Sequence, residues 1–277
     1  MRGDLTAEDA AEFLAEALAK RCSGDRPLLA GLNGAQGSGK STLAAMVERQ
    51  LAARGIRLAI LSLDDFYLTH AERQELARTV HPLCATRGVP GTHDMGLMRR
   101  TVDALSAAAP DDVTSLPAFD KLADDRMPNN ECPSFAGRPD VILIEGWCVG
   151  LQSDDLPPWR GPINKLEREN DADGLWTAWS REALLRDYDE LWRRLGLLAS
   201  IEVAGLDTVI ASRLRQENDL TAQTGRKGMD RAGVTRFVEH YERYTRALWA
   251  AMPRRADLLL HRDDDYGYKL VKDEVTG

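Results

Sequence analysis

The chain has 277 residues, enough for one large domain or one domain with an insertion. Apolar residues make up 43% and charged residues 29%, the balance of a soluble globular protein. A net charge of −8 argues against nucleic acid or an anionic membrane as the main partner, so positive potential should be confined to a local anion site. The four cysteines (Cys22, Cys84, Cys132 and Cys148) are scattered and suit reduced thiols. No apolar run approaches the roughly 20 residues of a membrane span. Residues 1–21 show neither an apolar signal core nor a cleavage site, so a cytoplasmic location is expected.

Thr6 to Lys20 has helical apolar spacing, and Cys22 to Pro27 forms a loop into a short strand at Leu28–Leu32. Gly34–Ser41 then reads GAQGSGKS and fits G-x-x-x-x-G-K-[ST] at every fixed position. Leu43, Ala44, Met46, Val47 and Leu51 recur behind it at helical spacing. A glycine-rich turn between strand and helix frees backbone N–H groups to point at one spot, beside the positive end of the helix dipole. Gly34, Ala35, Gln36, Gly37, Ser38, Gly39, Lys40, Ser41 and Thr42 are therefore expected to cradle the phosphates of a nucleotide. Lys40 would reach the β- and γ-phosphates, and Ser41 would ligate Mg²⁺.

A second strand is expected at Leu58–Leu63, beside the first, ending in Asp64-Asp65-Phe66-Tyr67. Open α/β sheets hold ligands at such carboxyl ends. Residues 70–78 read as helix. His81 to Asp94 reads as a long ordered loop, and loops of that length are usually functional. Leu97 to Ala108 is helical, and Val113–Phe119 is expected as an edge strand interrupted by Pro117. Asp120, Lys121 and Arg126 follow in a polar loop.

Val141–Ile144 is the most apolar strand and runs into Glu145-Gly146-Trp147. Residues 151–177 look irregular, and Ala178–Leu195 carries a helical stripe of Leu184, Leu185, Tyr188, Leu191, Trp192 and Leu195. Leu197–Val203 is a strand, Ser212–Met229 is strongly charged, Phe237–Ala250 is helical and Leu258–Leu260 is a last strand. Alternating strands and helices predict an α/β fold, three layers around a mostly parallel sheet, in one domain spanning 1–277. Residues 151–195 are expected as a helical insertion or cap, and 213–229 as a basic lid.

Glu145, after the apolar strand, has the context of a Walker-B carboxylate that holds Mg²⁺ with Ser41. Transfer to an alcohol also needs a proton acceptor, and Asp64 or Asp65 can serve. Arg213, Arg215 and Arg226 on the lid are candidates to meet charge that spreads over the transferring group. Arg87, His93, Lys121 and Arg126 suit an anionic acceptor such as a carboxylate. His81, Cys84 and His93 lack a fourth metal ligand. Asn164-Lys165-Leu166-Glu167 and Asp171-Ala172-Asp173-Gly174 fit guanine-nucleotide motifs poorly, in reversed order.

The motifs LDDFYLT at 63–69, RGVPGTHD at 87–94, FDK at 119–121 and IEGWCVG at 144–150 together resemble the glycerate kinase family. These are the D-glycerate 3-kinases of plants, with fungal and bacterial relatives, akin to the uridine kinase, phosphoribulokinase and pantothenate kinase group. The similarity runs from about Leu28 to about Asp265 and includes GMDRAGVTRFVEHY at 228–241. It implies ATP- and Mg²⁺-dependent phosphorylation of D-glycerate to 3-phosphoglycerate, with Asp64 as base and Glu145 as the motif glutamate. Asp65, Tyr67, Arg87, His93, Asp94, Lys121 and Arg126 are then the expected acceptor contacts. The chain departs from the plant pattern at Leu122-Ala123, after the aspartate–lysine pair, and at His81, where asparagine is commoner. Another alcohol acceptor (a nucleoside, a pantothenate-like alcohol or a sugar) and a nucleotide-hydrolysing switch or chaperone remain as alternatives. Oligomeric state is open.

Overall fold

Thr6 accepts the Asp9 N–H while the Asp9 carboxylate takes the Thr6 N–H, a capping box that starts helix α1 at Ala7–Arg21. The computed structural model describes residues 5–224 and 228–275. It continues with β1 (Leu28–Gly34), α2 (Lys40–Ala52), β2 (Leu58–Ser62), α3 (His70–Thr79) and α4 (Met95–Ala107). Four short strands follow: β3 (Val113–Ser115), β4 (Phe119–Asp120), β5 (Asp125–Arg126) and β6 (Ser134–Ala136). Next come β7 (Val141–Gly146), α5 (Lys165–Asn170), α6 (Leu175–Ala183), α7 (Asp189–Arg193), β8 (Leu197–Val203) and α8 (Leu206–Thr224). The chain closes with α9 (Arg231–Glu239), α10 (Glu242–Arg255), β9 (Leu258–Arg262) and β10 (Tyr268–Asp273).

Six strands form the central sheet in the order β10-β9-β8-β1-β7-β2. All neighbours are parallel except β10, which runs antiparallel to β9. Alternate residues of each strand face opposite layers. Leu32, Val141, Leu143 and Ala199 pack with α1 and α2, whereas Ile142, Ile144 and Leu198 pack with α4, α10 and the 151–195 segment. The fold is thus a three-layer α/β fold with a mostly parallel sheet. Each fully buried aliphatic side chain contributes about 1.5–3 kcal/mol. The run Val141–Ile144, buried throughout, therefore makes a rigid base for Glu145.

Several expectations need correction. β2 does not neighbour β1, because β7 lies between them. The reason is burial: β7 is buried at every position, while β2 leaves Ile60 and Ser62 partly exposed, as an edge strand does. β2 also stops at Ser62, so Leu63–Phe66, with both aspartates, forms a 3₁₀ turn. The strand expected at 113–119 is split by Leu116-Pro117-Ala118 into β3 and β4, in two separate two-stranded ribbons.

Residues 151–177 are less irregular than they read, since α5 and the start of α6 lie there. The helical stripe is interrupted by a π turn at Leu184–Tyr188, whose extra residue rotates Leu185 out to 51% exposure. Phe237–Ala250 is two helices broken around His240 and Tyr241. Strand β10 escaped notice because its charged, half-buried residues make no apolar run.

Candidate active site

The phosphate loop joins β1 to α2, and Gly39 caps the helix from the left-handed region (φ 90°) with no side chain on the first-turn donors. Those backbone N–H groups are thereby left for an anion. Lys40 Nζ lies on the Ala35 carbonyl at 3.1 Å, folded over its own loop. Burial lowers its pKa, with Glu145 and Asp64 opposing.

Leu32 of β1 and Ser62 of β2 flank Glu145 in register. The Ser41 hydroxyl donates to Glu145 Oε1 at 3.0 Å. A hydroxyl and a carboxylate are hard oxygen donors of the kind Mg²⁺ takes when phosphates and waters complete its shell. Among the described residues no cluster of three or more His, Cys, Asp or Glu forms a cage that would hold a metal by itself. The residues fit a metal that arrives with its nucleotide. They do not fit one held by protein alone, and the weighed His81, Cys84 and His93 trio is not such a site.

The two neighbouring aspartates are driven apart. Asp64 accepts the Tyr67 hydroxyl at Oδ1 and Lys121 Nζ at Oδ2, both at 2.7 Å. Burial pushes its pKa up, but Lys121, the Tyr67 bond and Lys40 outweigh it and hold the carboxyl down at about 2. Asp65 turns away and accepts the Phe119 N–H at 3.1 Å, tying the 3₁₀ turn to β4. Burial raises it to about 6, opposed by that bond and by Lys121.

Tyr67 is buried, stacked on His93 (4.8 Å between centroids) and set edge-on to Phe119. His93 Nδ1 meets the Tyr188 hydroxyl at 2.7 Å, and burial lowers the imidazole to about 4, so it is neutral. The Tyr188 hydroxyl also receives the Gly91 N–H. His93 is thus a strut behind Tyr67 and does not line the cavity. Asp94 and Arg126 are likewise set back. Asp94 caps α4 through the Leu97 N–H, and Arg126 bridges Asp94 and the Tyr67 carbonyl. Gly88 (φ 132°) is required because a Cβ would overlap the Tyr241 ring, whose hydroxyl donates to the Arg87 carbonyl at 2.9 Å.

These elements enclose a cavity of about 460 Å³ at the carboxyl ends of β1, β7 and β2. Gln36, Gly37, Lys40 and Ser41 meet Asp64, Tyr67, Arg87, Lys121 and Glu145 there. Arg213 of α8 also lines it, paired with Glu217 and lying over the Phe237 ring. Arg215 faces elsewhere, over the ring of Tyr266, against which Arg262 also packs. Arg226 lies outside the described residues.

Reading the sequence missed several contributors. Trp147, Phe237 and Tyr241 form the apolar wall; Trp147 donates to the Gly88 carbonyl and meets Tyr241 edge-on. Asn33 on β1 donates to the Trp147 and Val149 carbonyls and so fixes the turn after Glu145. A lone asparagine in an apolar strand was the available signal. Asp124 pairs with Arg73 and Arg87 and had no such signal.

No protein-family model matches the chain. The chain is 33% identical over 224 residues to the uncharacterized kinase mug58 of Schizosaccharomyces pombe, covering 78% of this chain and 79% of that one. It is 30% identical over 244 residues to the chloroplastic D-glycerate 3-kinase of Arabidopsis thaliana, covering 83% of this chain. It spans 50% of that plant protein's length. Among solved structures, D-glycerate 3-kinase from Cryptococcus neoformans superposes with a TM-score of 0.72 at 26% identity, covering 95% of this chain and 98% of that one.

Proposed function

The chain belongs to the glycerate kinase-like family of P-loop kinases, and from that premise we propose that it phosphorylates a small hydroxy acid with ATP. D-Glycerate is the favoured acceptor and 3-phosphoglycerate the product. The observation that carries this reading is the meeting, around one cavity, of a phosphate loop with a carboxylate and two cations opposite it.

The first-turn N–H groups of α2 and Lys40 bind the phosphates and neutralise charge on the transferring group. Ser41 and Glu145 would hold Mg²⁺, which would supply neutralisation of phosphate charge when bound. Asp64 accepts the proton of the attacking hydroxyl as its oxygen bonds to the γ-phosphorus, and the bond to the ADP oxygen breaks. Arg87 lines the cavity while paired with Asp124, and its remaining guanidinium N–H donors face the acceptor carboxylate beside Lys121. Trp147, Phe237 and Tyr241 exclude water from one side, and Arg213 on α8 reaches the site to meet charge on the transferring group, the part expected of a lid arginine. Residues 151–195 back that wall, since Leu156, Leu166, Trp176 and Tyr188 share one core cluster with Trp147 and Tyr241.

The test is ADP release by the purified protein across hydroxy acids, nucleosides, sugars and polyols. Release should depend on a hydroxy acid. Equal release without any acceptor would replace this reading with nucleotide hydrolysis.

A further inference from the structure

Asp64 as it stands cannot easily act as a base, because both of its oxygens are engaged at 2.7 Å. The Tyr67 bond is fixed, since that ring is buried and stacked on His93. Lys121 is different: 58% of its side chain is exposed, and it reaches Asp64 from the loop after β4. Every cation expected at the acceptor already holds a protein carboxylate, with Arg87 on Asp124 and Arg126 on Asp94. Those two are further tied down. Arg87 lies over the Tyr67 and Phe119 rings, and Arg126 also bonds the Tyr67 carbonyl. Of these three pairs, the Lys121 pair alone combines a place on the cavity with a mostly exposed cation held by a single bond.

We propose that Lys121 is a transferable counter-ion, drawn off Asp64 by the acceptor's carboxylate, so that an acidic acceptor frees its own catalytic base. This rests on the hydroxy-acid reading above and deepens it into a specificity device. A neutral polyol offers the hydroxyl but nothing to compete for Lys121, so Asp64 stays masked. With the carboxylate bound, Lys121 moves from one anion to another without entering an apolar site unpaired, which keeps the exchange cheap. Asp64 Oδ2 is then open to accept the hydroxyl proton as the new oxygen–phosphorus bond forms. Lys121 is the largest of the influences holding the Asp64 carboxyl down, with Lys40 the other cation facing it. The remaining groups that sense Asp64 (Tyr67, His93, Cys148 and Tyr241) are pushed by burial toward their neutral forms. Burial pushes Asp65 the same way.

The experiment compares Lys121→Met with the wild type on D-glycerate and on glycerol. In the variant, kcat/KM should fall for glycerate and rise for glycerol, narrowing their ratio by about tenfold or more, the worth of one charge-assisted hydrogen bond. An acid limb of kcat/KM should move up in pH, because the base of the free enzyme is no longer held down. Lys121→Arg should keep the wild-type selectivity. Equal loss on both acceptors, with the pH profile unmoved, would overturn the proposal. A second measurement needs no turnover: carboxyl titration of aspartate-labelled protein by NMR, with Asp64→Asn for assignment and trifluoroacetate, a carboxylate still ionised at the low Asp64 midpoint, as the probe. Trifluoroacetate should raise the Asp64 midpoint in wild type and leave it unmoved in Lys121→Met. A midpoint indifferent to both trifluoroacetate and the substitution would overturn the exchange even if glycerate is a substrate. A wild type that phosphorylates neither acceptor but shows the trifluoroacetate shift would instead refute only the choice of substrate.

Discussion

The Glu167–Arg243 pair between α5 and α10 and the Asp64–Lys121 pair over the cavity use the same chemistry under opposite restraint. Arg243 holds Glu167 through two bonds of 2.9 and 2.6 Å, with exposures of 9% and 1%. Its guanidinium also donates to the Gly161 carbonyl and lies over Trp159, and Glu167 takes the Ile163 N–H. Two guanidinium nitrogens and both carboxylate oxygens of that pair are engaged, so α5 is riveted to α10. The Lys121 pair has a single bond and a mostly solvated lysine. A buried, multiply bonded pair specifies structure, and a half-exposed one can be exchanged for a ligand. The same contrast explains the two discarded nucleotide motifs. Asn164 caps α5, and Asp171 takes the N–H groups of Trp176 and Thr177, so both hold helix starts and lie away from the cavity.

If this division is right, changes at the cavity should alter rate without stability, and changes at the α5–α10 pair the reverse. The largest effect is expected from Lys40→Ala, which removes the positive charge of the phosphate loop. Turnover should fall by about 10³-fold or more while thermal unfolding stays at the wild-type temperature. Glu167→Gln breaks the locked pair and strands Arg243 in the interior. Denaturant unfolding should show a loss of about 3–5 kcal/mol, with kcat little changed where the protein remains folded. A small stability loss there would erase the contrast between the two pairs.

Asp64→Asn should lower kcat by roughly 10²-fold, the low end for a general base because a loose transition state asks little of it. Affinity for Mg-ATP should hold. Asp65→Asn should be much milder in rate, and finding it the more damaging would reverse the assignment of the base. Its signature is in stability against pH. Asp65 rises from 3.8 to about 6 on folding, so the folded chain binds that proton more tightly. Its contribution therefore falls as pH rises between those values, and Asp65→Asn should remove that slope. The smallest effect is expected from Arg87→Lys, which keeps the charge and loses the planar fork. KM for the acceptor should rise more than kcat falls, in steady-state kinetics with ATP saturating.

Much of the site was legible because its parts are local. Gly34–Ser41 lies between strand and helix as its spacing requires, and Glu145 follows the most apolar strand, buried at every position. The roles of Asp64 and Asp65 were not separable by residue type. Their difference comes from Lys121 and Phe119, more than 50 positions away. Strand order was misread for a related reason: pairing β7 between β1 and β2 is a long-range choice that local pattern records only as a difference in burial. Arg87, Arg126 and Lys121 look alike in sequence, and only the partners Asp124, Asp94 and Asp64 show which of them is exchangeable.

The most direct measurement follows the label from [γ-³²P]ATP in the presence of D-glycerate or of glycerol, with the products separated and the phosphorylated position fixed by NMR. The label should appear on the 3-oxygen of glycerate, far more slowly on glycerol, and hardly at all as inorganic phosphate. Label released chiefly as inorganic phosphate, or carried equally by glycerol, would contradict the assignment of this cavity to a hydroxy acid.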